Sequence, residues 1–119
     1  MGFVRTKLVV SNHKRTKERE VTFLADSGSW YSVVTPSLAK ELDITPVMKA
    51  RVLTADKREI ETDLAVAYVK TLDREAAVFM AIMETPELLV GVEAMEALGI
   101  SIDPTTGAVK PTRPYGLLM

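Results

Sequence analysis

The stretch Phe23-Leu24-Ala25-Asp26-Ser27-Gly28-Ser29 decides the fold of this chain. Val21 to Ala25 is β-prone and apolar, so Asp26 directly follows a strand that we expect to be buried. An acidic side chain in such a place lies at low dielectric, where its ionisation costs free energy unless other groups are arranged around it. Gly28 permits a tight turn with close backbone approach, and the Ser27 hydroxyl can hydrogen-bond locally. The stretch therefore predicts a carboxylate held rigidly at the floor of a cleft.

Hydrolysis of an amide by carboxylates needs two carboxyl groups that share one proton. One accepts a proton from the attacking water, while the other polarises the scissile carbonyl. The sequence contains one Asp-(Ser/Thr)-Gly, because Asp103-Pro104-Thr105-Thr106-Gly107 has the wrong spacing and is interpreted as a surface turn. The second carboxyl would then come from a second copy of the chain, since a two-fold axis brings a residue that lies on it against its twin.

Composition limits the other classes of function. The chain has 119 residues, of which 47% are hydrophobic and 26% charged, and we expect a single domain over residues 1–119. The net charge of −1 gives no basic excess for nucleic acid, and no apolar run approaches the roughly 18 residues of a membrane helix. The absence of cysteine, the single histidine and the lack of a dense carboxylate cluster leave a metal site unsupported. We expect a cytoplasmic protein without a cofactor, since a cysteine-free chain is compatible with a reducing compartment.

Strand-like segments dominate the rest of the chain. They are residues 7–10 and 21–25 around a charged loop, two strands within 47–70, and residues 76–83, 88–90 and 100–102. The continuously apolar segment 76–83 predicts a strand covered on both faces. Thr35-Pro36 predicts a helix with Thr35 as N-cap, and a second helix is predicted from Val92 to Leu98, ended by Gly99. The apolar tail, residues 115–119, is expected to pair with another segment or subunit.

In three blocks the chain resembles the retropepsin-like (retroviral-type, clan AA) aspartic peptidases. The first is the Asp26 stretch, which resembles the apolar-apolar-Asp-(Thr/Ser)-Gly-(Ala/Ser) signature. The second is Leu88-Leu89-Val90-Gly91 followed by the helix, and between them residues 51–60 lie where the family has its flap hairpin. The resemblance implies a mostly β fold, an acid-protease barrel half with one or two short helices. It also implies a homodimeric aspartic endopeptidase that acts on peptides or proteins without a covalent intermediate.

The same resemblance implies roles for individual residues. Asp26 would be the catalytic carboxylate, Ser27 would lock the two active-site loops together across the dimer axis, and Gly28 would offer backbone contacts close to the substrate. A hydroxyl at Ser29 that donates to the carboxylate would lower its pKa. The remaining site residues are the second signature, Leu89, Val90 and Gly91, and the flap, Thr54, Ala55, Asp56, Lys57 and Arg58.

Two questions stay open at the level of the sequence. Flap tips in this family are usually rich in glycine, whereas the turn Ala55-Asp56-Lys57-Arg58 contains none. This departure favours an alternative in which the fold is a catalytically silent dimerisation or peptide-binding module. Trp30 and Tyr31 directly follow the first signature and could line an apolar pocket, although we favour a place in the core or at a subunit interface for one of them.

Overall fold

The structure is a computed structural model that describes residues 4–53 and 57–114. Within those ranges the chain is mostly β with two short helices, as the sequence predicts, and it has nine strands. The elements are β1 (Arg5–Asn12), β2 (Glu18–Ala25), β3 (Ser32–Val34), α1 (Pro36–Glu41), β4 (Met48–Leu53), β5 (Glu59–Thr71), β6 (Arg74–Ile82), β7 (Leu89–Val90), α2 (Val92–Leu98), β8 (Ile100–Ile102) and β9 (Val109–Pro111).

The hairpin of β1 and β2 is longer than its apolar residues indicate. The pairing runs from Arg5 opposite Leu24 to Ser11 opposite Glu18, so the first charged residues of β2 belong to the strand. They are exposed, and on a solvated face a charged side chain does not prevent the backbone from pairing. The buried Asn12 closes the turn, because its side-chain oxygen accepts hydrogen bonds from the backbone N–H groups of Lys14 and Thr16 at 2.9 and 3.2 Å.

Seven strands form one sheet in the order β1-β2-β7-β3-β6-β5-β4, and β1 also pairs with β5. That extra pairing closes six of the strands into a barrel and leaves β4 outside it. The long strand β5 serves both parts: residues 59–64 pair with β4, whereas residues 67–70 pair with β1. The pairs β2–β7 and β3–β6 are parallel. Strand β6 departs from its prediction, because Val78, Met80 and Ala81 are buried while Ala77 is exposed.

Both helices begin where the sequence predicts, and α2 also ends there. The Thr35 hydroxyl accepts a hydrogen bond from Leu38 N at 3.3 Å, and Leu38 packs in the main core. Helix α2 ends at Gly99, whose φ of 64° is in the left-handed region. The guanidinium of Arg74, a side chain only 4% exposed, donates hydrogen bonds to the carbonyls of Leu98, Gly99 and Arg113 at 2.9 to 3.1 Å. This buried cation therefore satisfies carbonyls that the helix leaves unpaired at its C-terminus.

Two strands are not predicted by the sequence pattern. Strand β3 lies between β7 and β6 and is buried throughout, and β9 pairs with β8 in a small separate sheet. The apolar tail, for which pairing is predicted, lies outside the described residues. Neither helix in the described part of the chain is long and apolar enough to cross a membrane.

Candidate active site

The loop that carries Asp26 begins where β2 ends. Ala25 N donates to Val4 O at 2.8 Å and Asp26 N donates to Val90 O at 3.0 Å, so hydrogen bonds to both neighbouring segments fix the strand end. Beyond it the chain turns back, with Gly28 N donating to Asp26 Oδ1 at 2.9 Å. Asp26 itself is half-buried. The local sequence thus places Asp26 in a hydrogen-bonded turn directly after β2, as predicted.

The second signature forms the support beneath this loop. Strand β7 pairs in parallel with β2, Leu24 opposite Leu89 and Ala25 opposite Val90. Gly91 lies against the loop so closely that a Cβ atom there would be 2.6 Å from the carbonyl oxygens of both Trp30 and Tyr31. No side chain fits at that distance, which explains why this position needs glycine.

Three backbone N–H groups at the start of α2 hold the residues that follow the Asp26 turn. Gly91 N donates to the hydroxyl of the fully buried Ser32 at 3.0 Å. The next two N–H groups, of Val92 and Glu93, donate to the carbonyls of Ser29 and Trp30 at 2.8 and 3.0 Å. The first signature and the second signature are therefore parts of one hydrogen-bonded unit.

The expectation for Ser29 is wrong in its geometry. The Ser29 hydroxyl donates to Tyr31 O at 2.6 Å rather than to the carboxylate of Asp26. The turn places that carbonyl two residues ahead within reach of the hydroxyl, and this bond stabilises the loop instead. The Ser27 hydroxyl is exposed beside Asp26, and no partner for it lies within residues 4–53 or 57–114. Its predicted role across a dimer axis stays a prediction.

A cleft of about 730 Å³ opens above Asp26, between the Asp26 loop and β4. Most of its lining is apolar, and Asp26 supplies the one carboxylate among the described residues around it. The lining consists of Asp26, Gly28, Ser29, Trp30, Tyr31, Val33, Arg51, Val52, Leu53, Ala81, Met83 and Leu89. Of the second signature, Leu89 alone is in this lining, while Val90 and Gly91 support the loop from behind.

The structure places both aromatic residues after the motif at the cleft. Trp30 is 54% exposed in the single chain, and Tyr31 is half-buried with its ring edge-to-face against Phe79, the two ring centres 6.0 Å apart. The pocket-lining interpretation therefore holds for both residues, and Tyr31 also packs beside the smaller core cluster.

Part of the predicted flap can be placed. Thr54, Ala55 and Asp56 lie outside the described residues. Lys57, with a left-handed φ of 66°, and Arg58 are exposed in the turn just before β5. Of the described residues in this hairpin, those that line the cleft are Arg51, Val52 and Leu53 of β4.

Sequence reasoning missed Ser32 and Glu93. The Glu93 carboxylate accepts a hydrogen bond from Phe79 N, with Oε1 at 3.1 Å and Oε2 at 3.4 Å. Its partial burial raises the pKa of this carboxyl above the ordinary 4.5, although the bond from Phe79 opposes that rise. An acidic residue in the first turn of a helix is so common that nothing in the sequence distinguishes it. No group of three or more metal-ligating side chains occurs in the described ranges.

Comparison with known proteins agrees with this architecture. Residues 14–94 match the family model described as aspartyl protease. The fold is similar to the EIAV protease complexed with the inhibitor HBY-793, with a TM-score of 0.63 and 19% identity over 82% of this chain and 89% of that one. It is also similar to the foamy viral protease-reverse transcriptase in complex with an RNA/DNA hybrid, with a TM-score of 0.55 and 15% identity over 79% of this chain and 12% of that one. No curated protein sequence matches the chain. With its Asp26 motif, its supporting Gly91 and the family match over most of its length, the chain belongs to the aspartyl protease family and has a retropepsin-like fold.

Proposed function

We propose that this protein is an aspartic endopeptidase whose active site forms when two copies of the chain bring their Asp26 side chains together. One observation carries the proposal: Asp26 is held at the floor of an apolar cleft and is the one carboxylate among the described residues that line it. Hydrolysis of an amide by carboxyl groups without a metal uses two of them, one that accepts a proton from water and one that donates to the carbonyl. A symmetric dimer supplies the missing group without any further sequence.

The hydrogen bonds of Asp26 suit this chemistry. Oδ1 accepts from Gly28 N, while Oδ2 has no partner within the described residues and is free to share a proton or to bind water. Two carboxylates at close range cannot both ionise, so the pair would hold one proton between them. The ionised member would accept a proton from the attacking water, and the protonated member would donate to the scissile carbonyl. No cofactor takes part in this route.

The surroundings of the loop support a second copy as the partner. Ser27 and Gly28 are exposed in the single chain although they adjoin the site, so a second catalytic loop has access to them. The Ser27 hydroxyl would then find its hydrogen-bond partner in the other subunit. The substrate would be a peptide or unfolded protein with apolar side chains next to the cut bond, because the cleft lining is mostly apolar and includes Val33, Leu53 and Leu89.

The test is a subunit-mixing experiment with Asp26→Asn, which preserves size and removes the ionisable group. Cleavage of an unfolded protein is measured from acidic to neutral pH, with pepstatin as an inhibitor control. Asp43→Asn is the matched variant, because Asp43 is exposed at φ 56°, a conformation that asparagine tolerates. Asp26→Asn should abolish cleavage and Asp43→Asn should not.

Mixing gives the sharper result. If subunits exchange freely, an equal mixture of the wild-type chain and Asp26→Asn leaves about a quarter of the dimers with two Asp26 residues. Activity per total protein should therefore fall to about a quarter, instead of the half expected for independent monomers. A value of one half, or an active protein that sediments as a monomer at every concentration, would contradict the shared site.

The second candidate is a silent dimerisation or peptide-binding module with the same fold. The turn without glycine at residues 55–58 favours it, because glycine is the residue that most readily gives a tight, mobile turn. Peptide binding without cleavage at any pH, unchanged by Asp26→Asn, would establish the module and exclude the peptidase.

A further inference from the structure

We propose that Glu93 is a positioning residue that fixes the Trp30–Tyr31 wall of the cleft to strand β6, and that it thereby determines how tightly the cleft binds peptide. The wall is defined here as these two residues, which follow the catalytic turn and line the cleft. The inference rests on the proposed function in so far as the wall contacts a peptide substrate. Its structural part, the placement of the wall, is independent of catalysis.

The start of β3 explains why the backbone N–H of Phe79 needs a side-chain acceptor. Ser32 of β3 lies opposite Met80 of β6, so the parallel pairing of these strands starts there. Phe79 precedes Met80, so no residue of β3 lies opposite it to accept a hydrogen bond from its backbone N–H group. A backbone N–H left unpaired in a half-buried place costs free energy. The Glu93 carboxylate accepts this bond in place of a strand.

Glu93 also makes a bond through its main chain. Its backbone N–H donates to Trp30 O at 3.0 Å, so one residue of α2 is hydrogen-bonded to the wall through its main chain and to β6 through its side chain. Gly91, two residues before Glu93, packs so closely against the carbonyls of the same wall that a Cβ atom would not fit. A shift of the helix start would therefore displace the wall as well.

A ring contact links Phe79 back to the wall. The Phe79 ring, which follows the N–H held by Glu93, packs edge-to-face on Tyr31 at 80°. Glu93 therefore acts on the wall from two sides, directly at the Trp30 carbonyl and indirectly through Phe79 at the Tyr31 ring. Loss of the carboxylate contact would free Phe79 N and loosen both aromatic residues, whereas Asp26 keeps its own bonds to Gly28 and Val90. The expected change is in binding more than in chemistry.

The test compares Glu93→Ala, Glu93→Asp and Glu93→Gln. Glu93→Asp keeps the charge but withdraws it by one methylene, and Glu93→Gln keeps an acceptor oxygen at the original reach. Glu96→Ala is the matched control, because Glu96 is an exposed glutamate of the same helix. Trp30 is the only tryptophan of the chain, so its emission and acrylamide quenching report on the wall without any need for activity.

We expect Glu93→Ala and Glu93→Asp to shift the Trp30 emission and to raise KM for peptides about tenfold, the effect of losing one hydrogen bond, with kcat within about twofold. Glu93→Gln should stay within about twofold of the wild type in KM and match its emission, as should Glu96→Ala. If Glu93→Ala does not fold, the comparison of Asp with Gln decides.

Unchanged emission and KM in Glu93→Asp would overturn the proposal, as would a fall in kcat with KM and emission unaltered. A wild-type chain that cleaves nothing would end the proposed function but leave the fluorescence comparison decisive for the placement of the wall. The two failures are thus distinguishable.

Discussion

Replacing Gly91 with alanine tests how closely the two signatures are packed. The backbone at Gly91 is extended, with φ −98° and ψ 180°, so alanine is conformationally allowed and the effect is purely steric. The new Cβ would lie 2.6 Å from the carbonyl oxygens of Trp30 and Tyr31, whereas ordinary contact begins at 3.4 Å. The helix start and the loop would have to separate by about 0.8 Å, the difference between these distances, and both sides are backbone.

The cost of that separation can be bounded. Overpacking a close-packed interior costs about 1–3 kcal/mol, and we take the upper end because no flexible side chain can move away. The bond from Gly91 N to the Ser32 hydroxyl would be stretched at the same time. We therefore expect a loss of about 3 kcal/mol in the free energy of unfolding. For a chain of this length that corresponds to a fall of about 12 °C in Tm.

Urea and thermal unfolding followed by circular dichroism measure this difference. All proteins are compared at one concentration, because the stability of a dimer depends on it. Gly28→Ala is the control: its Cβ would meet one side-chain atom, Asp26 Oδ1, at 3.2 Å, and should cost under about 1 kcal/mol. If Gly91→Ala loses no more free energy of unfolding than Gly28→Ala, the close packing of the two signatures contributes little to stability.

Two further predictions concern the buried arginine and the half-buried glutamate. Arg74→Met should lower the free energy of unfolding by about 3 kcal/mol in a urea titration, because it removes the donor to Leu98 O and leaves Gly99 O with the bond from Thr112 N. The exposed Arg113→Ala should cost under about 1 kcal/mol, and equal losses would contradict a special role for the buried cation. Burial raises the folded-state pKa of Glu93 above its unfolded value, so the folded state binds the proton more tightly and wild-type stability should decline as pH rises from 4.5 through the raised pKa. Glu93→Gln should lack that decline, and parallel slopes for the two proteins between acidic and neutral pH would refute the assignment.

Features with a local cause could be predicted from the sequence. The turn at Asp26 follows from Ser27-Gly28, the cap at Thr35 from Thr-Pro, and the end of α2 from Gly99, because each is decided by residues within one turn of the chain. The second signature could be predicted as well, since glycine after an apolar pair and before a helix is a recognisable order.

Features that depend on distant neighbours could not. Strand β3 has three residues, and it is a strand only because β7 and β6 lie on either side of it. The Ser29 hydroxyl had a choice of acceptors that the sequence does not rank. Glutamate is an ordinary residue at the start of a helix, so the sequence does not distinguish Glu93. Its contact with Phe79 N arises because β3 begins one residue too late to pair there. In each case tertiary packing selected one of several local possibilities.

The parallel pairing of β2 with β7 has a consequence for how this protein comes into being. Leu24 and Ala25 pair with Leu89 and Val90, so their separation is about half the length of the chain. Contacts so far apart in sequence form slowly, because bringing their ends together costs loop-closure entropy before the contact is gained. On the ribosome, Asp26 would emerge well before the residues that support it. A nascent chain stopped short of Val90 should therefore contain Asp26 without the strand and helix start that support its loop.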